Sequence, residues 1–213
     1  MENLLNDISE IVKKVIEKIL PKKIEQVPIG VSNRHIHLSK KDLELLFGKG
    51  YQLNNLKNLK QPNQFAAKEI VTIVGSKGTI HNVRILGPAR KMTQVEISKT
   101  DCFLLGINAP VRNSGDIKDT PGITIVGPKN TITIKEGVII ASNHLHLSEN
   151  EAKELSLNDG DKIVIRCINK HRKIYFSDVL VRSGKAHLKE FHIDTDEANA
   201  GFLSSGDMVD IIF

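Results

Sequence analysis

The run SNRHIHLS at residues 32–39 returns as SNHLHLS at residues 142–148, and no other feature constrains the fold as much. Each copy is followed by a stretch of helical character, Lys40 to Phe47 and Glu149 to Leu155, and then by two β-like runs across a turn. These runs are VTIVGSKGTIHNVRIL in the first half and IVIRCINKHRKIYFSDVLVR in the second. GPARKMTQVEISKTD and SGKAHLKEFHIDTD come next, and each half then reaches a Ser-Gly-Asp, at 114–116 and 205–207. A chain ordered in this way is a duplicated unit. It must fold as two similar substructures, and whatever the histidines do is done twice.

The rest of the chain is dominated by short strand-like runs rich in Val, Ile and Thr, among them VPIGVS, HNVRILG, TITIK, GVIIAS and MVDIIF, punctuated by Gly, Pro, Asn and Asp. Many short strands predict a mainly β fold, a barrel or a sandwich, interrupted by the two short helical stretches. Residues 1–21 read differently. Leu4, Leu5, Ile8, Ile11, Val12, Val15, Ile16, Ile19 and Leu20 recur at helical spacing opposite Lys13, Lys14, Glu17 and Lys18, and Pro21 stops the run. This N-terminal amphipathic helix needs a cover: the protein's own body, a second copy, or another protein.

No run approaches about 20 uncharged apolar residues, and the N-terminus lacks a secretory signal, so the expectation is a cytoplasmic protein with no membrane span. The net charge of +5 suits an anionic partner. Nucleic acid is a poor candidate, because aromatics are 4% of the chain and the basic residues are scattered. A small phosphate-bearing ligand suits the charge better. Cys102 and Cys167 lack a Cys-x-x-Cys neighbour and read as core thiols.

On an extended strand, residues i and i+2 face the same way, about 6.5 to 7 Å apart, which permits chelation by His-x-His. Aligning VEIS with FHID sets Glu96 against His192, so each half offers a third ligand. The resulting triads are His35, His37 and Glu96, and His144, His146 and His192. Three protein ligands with an open position are typical of catalytic rather than structural zinc. A single His-x-His is ordinary, but five of the eight histidines fall at equivalent places of the repeat. His81 and His171 read as turn or surface residues, and His187 has no counterpart. The Ser-Gly-Asp sequences, Asp101 and Asp196 read as turn residues that bond backbone.

Several separated motifs, VPIGVSNRHIHLS, QPNQFAA, GPARKMTQVEIS, VRNSGD with TPGITIVGP, the second His-x-His and FHIDTDEANA, occur together in an order that resembles the PduL-type phosphate propanoyltransferases. The resemblance covers residues 24–213. It implies transfer of a short acyl group, propanoyl or acetyl, between coenzyme A and inorganic phosphate, as in propanediol degradation. It also implies two Zn2+ per chain, held by the same two triads, and a catalytic arginine at Arg90. Contacts to coenzyme A fall on Ser32, Lys57, Arg84, Leu86 and Asn199.

The implied fold has residues 34–141 as a central barrel and residues 24–33 with 142–213 as the other, the ligands meeting between them. Residues 2–20 correspond to an extension that binds the shell of a bacterial microcompartment in some members. Two departures stand out. Asn143 occupies a place often held by Arg, while Arg34 keeps it in the first copy; Asn63 replaces a turn Gly and should tolerate a left-handed backbone. Two other readings stay open: a dizinc hydrolase of esters or phosphoesters, and a non-catalytic, zinc-stabilised cargo protein. Whether the chain forms a homo-oligomer is also open.

Overall fold

A computed structural model describes residues 25–212. The amphipathic helix expected over residues 1–21 lies outside them. In chain order the first elements are β1 (Glu25–Ser32), β2 (His35–His37), α1 (Lys40–Phe47), β3 (Asn55–Asn58), β4 (Phe65–Val74), β5 (Thr79–Gly87), β6 (Gln94–Glu96), α2 (Lys99–Leu105), β7 (Val111–Arg112), β8 (Ile123–Val126), β9 (Thr131–Ile134) and β10 (Val138–Ala141). They are followed by β11 (His144–Leu147), α3 (Glu149–Glu154), β12 (Lys162–Ile168), β13 (Lys173–Ser183), β14 (Glu190–Asp194), α4 (Thr195–Gly201) and β15 (Met208–Ile212). Among the described residues no helix is long and apolar enough to cross a membrane.

The duplication is visible strand by strand. One sheet is a closed six-stranded barrel in the order β1-β14-β11-β13-β12-β15, and the other contains the matching series β10-β6-β2-β5-β4-β8. Both series step through parallel, antiparallel, parallel, antiparallel and antiparallel pairs. The strand before each His-x-His belongs to the other unit's sheet. Thus Val27 and Ile29 of β1 pack in the core of the second unit, and Val138 and Ile140 of β10 pack in the core of the first.

The expectation of two closed barrels is corrected in the first unit, whose nine-stranded sheet curls but stays open. In the second unit β15 pairs with β1 and closes the ring. Its counterpart β8 instead spends its free edge on β9, through Ile123 and Ile134, while β10 spends its own on β7, through Ile140 and Val111. A strand has two hydrogen-bonding edges, so these added partners preclude a β8–β10 ladder. One backbone bond, from Val138 N to Pro121 O at 3.0 Å, bridges the gap.

The two helices expected after the His-x-His motifs are present, with Ser39 and Ser148 as N-caps. Two more were read as strand ends and turns: α2, capped by Ser98 and Asp101, and α4, capped by Asp194 and Glu197. The spacings S-x-x-D and D-x-x-E are capping-box signals that sequence alone offered. Each of the four ligand-bearing strands therefore runs directly into a capped short helix. These abrupt strand-to-helix joints fix the strand ends on which the ligands sit.

Candidate metal centre

Alternation along β2 and β11 decides which way the histidines face. Ile36 and Leu38 lie in the first core and Leu145 and Leu147 in the second, so His35, His37, His144 and His146 point away from their own unit's core. They are covered by the opposite unit. A cavity of about 730 Å³ between the units is lined by all six residues of the two triads.

The third ligands arrive by cross-strand pairing. His35 pairs with Glu96 and His144 with His192, each across an antiparallel ladder at equivalent register. In each triad the candidate ligand atoms lie within 4.8 Å of one another. His35 Nε2 is 3.4 Å and His37 Nε2 4.0 Å from the Glu96 carboxylate, and the Nε2 atoms of His144 and His146 approach to 3.1 Å. Gly30 sits opposite His192 on β1, where a Cβ would fall 2.8 Å from Glu190 and 2.9 Å from His192. Only glycine fits this close approach.

Backbone carbonyls set the tautomers. His35 Nδ1–H donates to Asn33 O at 2.9 Å, His144 Nδ1–H to Ser142 O at 2.8 Å, and His37 Nδ1–H to Leu86 O at 3.3 Å. This leaves an Nε2 lone pair on each ring, the usual preparation of a metal-ligating histidine. Burial pushes His37 down to about 3, with His35 and Arg90 adding to it. Burial and His192 push His144 down to about 4, and burial with the other two imidazoles pushes His146 to about 2. Burial alone would raise Glu96, yet His35 and His37 hold its carboxyl well below the usual carboxylate range. The same carboxylate overcomes burial to raise His35. Neutral His37, His144 and His146 and an ionised Glu96 are in the protonation states that divalent-metal binding requires, and at His35 a metal would displace the proton that Glu96 favours.

A second layer supports the third ligands and was not identified from the sequence. Gln94, two residues before Glu96, donates to its Oε1 at 2.6 Å; Glu190, two residues before His192, lies 2.7 Å from its Nε2. Strand periodicity places both on their ligand's face, which could have singled them out. Ser114, expected only as a turn residue, donates to Glu96 at 3.1 Å and accepts from Arg90 Nη1 at 3.2 Å. His187 stacks on His146 with centroids 4.3 Å apart, and Arg182 also lines the cavity.

Ser32, Lys57, Arg84, Leu86 and Arg90 all line the cavity, whereas Asn199 lies on the exposed side of α4 and does not. Arg84 donates to the carbonyls of Ala67 and Lys68. The backbone N–H of Arg90 donates to Leu38 O at 2.8 Å, which ties its segment to the end of β2. Cys102 and Cys167 are buried in the two cores, away from the cavity, and burial pushes the Cys167 thiol up to about 12.

The two departures noted in the sequence have local explanations. Arg34 pairs with buried Asp101 at 2.8 Å, while Asn143 donates to Glu197 at 2.7 Å. Asp101 and Glu197 occupy the same capping position of α2 and α4. A short amide with a long acid thus replaces a long guanidinium with a short acid, and Asn143 ties its strand to a helix as Arg34 does. Asn63 adopts φ 61°, the left-handed turn expected of it.

Two-unit β architecture and mirrored three-ligand clusters on one cavity define a duplicated enzyme scaffold with paired candidate metal sites. The family model for phosphate propanoyltransferase matches residues 28–204. A phosphate propanoyltransferase from Thermotoga maritima is 53% identical over 86% of this chain and 88% of its own length. One from Lachnoclostridium phytofermentans is 45% identical over 99% of both chains, and one from Salmonella typhimurium is 45% identical over 90% of this chain and 91% of its own. The chain belongs to the phosphate propanoyltransferase family, which are acyltransferases.

Proposed function

We propose that the protein interconverts propanoyl-CoA or acetyl-CoA and inorganic phosphate with the acyl phosphate and free coenzyme A, using two zinc ions, one per triad. The observation that carries this reading is the opening of both triads onto one cavity. The donor sets fit zinc: imidazole nitrogens with one carboxylate in the first, imidazoles alone in the second. Bound there, two divalent cations supply counter-charge and orientation for an oxyanion.

The chain's own residues account for the remaining requirements. A phosphate oxygen must attack the thioester carbonyl carbon, the C–S bond must break, and the sulfur must leave as thiolate. Arg90, permanently charged and braced by Ser114, stabilises the oxyanion that forms on the carbonyl. Ser114 and Gln94 keep the Glu96 carboxylate turned toward His35 and His37. No cysteine acyl-enzyme is needed, since both thiols lie in the cores. Ser32, Lys57, Arg84 and Leu86 hold the thiol end of coenzyme A, with Asn199 beyond the cavity. Residues 34–141 and residues 24–33 with 142–213 act as the two units of the site, and residues 2–20 serve as an address peptide for a microcompartment shell.

The test is thiol release from propanoyl-CoA by the purified protein, with and without phosphate. Release that depends strictly on phosphate and yields propanoyl phosphate supports the proposal. Release at the same rate without phosphate identifies a hydrolase instead.

A further inference from the structure

Three of the four imidazoles in the two His-x-His motifs are tied to backbone. His35, His37 and His144 each give their Nδ1–H to a carbonyl, whereas His146 Nδ1 is buried and has no partner among the described residues. His146 is the counterpart of His37, so the two copies of the repeat hold the same ligand in different ways. A second ring stands where the bond is missing. His187 lies flat against His146, with centroids 4.3 Å apart and 16° between the planes, while the imidazole pairs within the triads cross at 61° to 90°.

The loop after β13 is built to keep His187 there. Its backbone N–H donates to Gly184 O at 3.1 Å, and Gly184 N–H donates to Leu147 O at 3.1 Å, one residue past His146. A Cβ at Gly184 would fall 3.0 Å from His187 Cδ2, so the glycine leaves the space in which the ring lies. The first unit reaches across from the other side. Gln61 accepts from Leu188 N–H at 3.2 Å and donates to Leu188 O at 3.0 Å, gripping the residue next to His187 by both backbone groups. His187 Nδ1 is itself buried without a partner, so the ring meets His146 with its face and not with a hydrogen bond. The first unit has no such ring: His187 stands five residues before the third ligand His192, and the residue five before Glu96 is exposed Lys91.

Resting on the two-zinc reading above, we propose that His187 is a positioning residue of the second metal site, which sets the plane of His146 by stacking where the other three rings are set by a carbonyl. The Nε2 lone pair lies in the plane of the imidazole, and the torsion that turns this plane is soft. A ligand is therefore aimed only when something outside the ring fixes it. A carbonyl accepting from Nδ1–H does so by direction, and a parallel ring does so by its face. What matters at residue 187 is then the ring and not its nitrogens.

The experiment uses the full-length, zinc-loaded protein and the variants His187→Ala and His187→Phe. Zinc is withdrawn by graded competition with a chelator and counted per chain, and the imidazole proton resonances of the metal-free proteins are recorded. In His187→Ala one of the two ions should leave at a chelator concentration about 10- to 100-fold lower than in wild type, the other leaving as before. His187→Phe can stack but can neither ligate nor accept a hydrogen bond, and it should hold that ion to within about threefold of wild type. An alanine variant that keeps both ions as firmly as wild type would overturn the proposal. So would a phenylalanine variant as weak as the alanine one, which would make a nitrogen of His187 the working group. Both ions weakened together, with a lower unfolding temperature in the metal-free alanine variant, would make the residue structural and also overturn it. Wild type holding fewer than two zinc ions would defeat the two-zinc reading by itself. The metal-free resonances then decide, because His187→Ala should shift those of His146 more than those of His35 and His37, and unmoved His146 resonances would overturn the proposal.

Discussion

The first unit and the second share six strands in one order, but the second closes its ring and the first does not. The difference comes from β7 and β9, which take the edges that β10 and β8 would otherwise pair. Both units nevertheless present a His-x-His to the same cavity, each with a third ligand across an antiparallel ladder. Closure is therefore not what positions the site. The conserved part of the duplication is the local strand-to-helix joint, and the exchange of β1 and β10 holds the two ligand faces together. The chemistry has diverged on that frame: a carboxylate supported by an amide in the first triad, an imidazole supported by a carboxylate in the second.

The most severe way to break this comparison is to remove one ligand from either side. His35→Ala and His144→Ala should both abolish phosphate-dependent acyl transfer in the assay above. Loss in one variant alone would show that the two triads do not work as one site.

Smaller effects are expected one layer out. Gln94→Ala and Glu190→Gln each remove support from a third ligand and should lower activity or metal affinity by about 10- to 100-fold, measured by turnover and by metal competition with a chelator. The tethers behind the ligands should differ more. Arg34→Ala strands the carboxylate of buried Asp101, at a cost of about 1 to 3 kcal/mol in denaturant unfolding. Asn143→Ala removes one hydrogen bond to Glu197 and should cost about 1 kcal/mol.

A further difference separates the triads by pH. His37, His144 and His146 have folded pKa values of about 3, 4 and 2, so in metal-free protein the unfolded chain takes up their protons first as pH falls below about 6.5. Their contribution to stability is complete above that pH and is lost progressively as pH falls toward the folded values. The second triad has two such groups, whereas in the first His35 is shifted the other way. Unfolding in a chelator between pH 7 and 5 should therefore flatten more in His144→Gln/His146→Gln than in His37→Gln.

The repeat made much of this site legible before any coordinates. Aligning VEIS with FHID set Glu96 against His192, and these residues occupy the same register opposite His35 and His144. The added strands β7 and β9 were harder to weigh, because nothing in VRNSGD or TITIK says which edge will be occupied. The helices α2 and α4 were missed although SKTD and DTDE carry their caps, because strand-like residues directly precede them. Gln94 and Glu190 were within reach of a period-two argument from the third ligand. Arg182 and His187 were not, since only the parallel pairing of β11 with β13 and the loop after it bring them to the cavity.

Metal content is the most direct test of the central claim, that each copy of the repeat contributes one complete triad to a shared site. Elemental analysis of the purified protein should find two zinc ions per chain in wild type and one in each of Glu96→Ala and His192→Ala, with acyl transfer lost in both variants. Two ions retained in either variant, or one ion in wild type lost from both together, would contradict it.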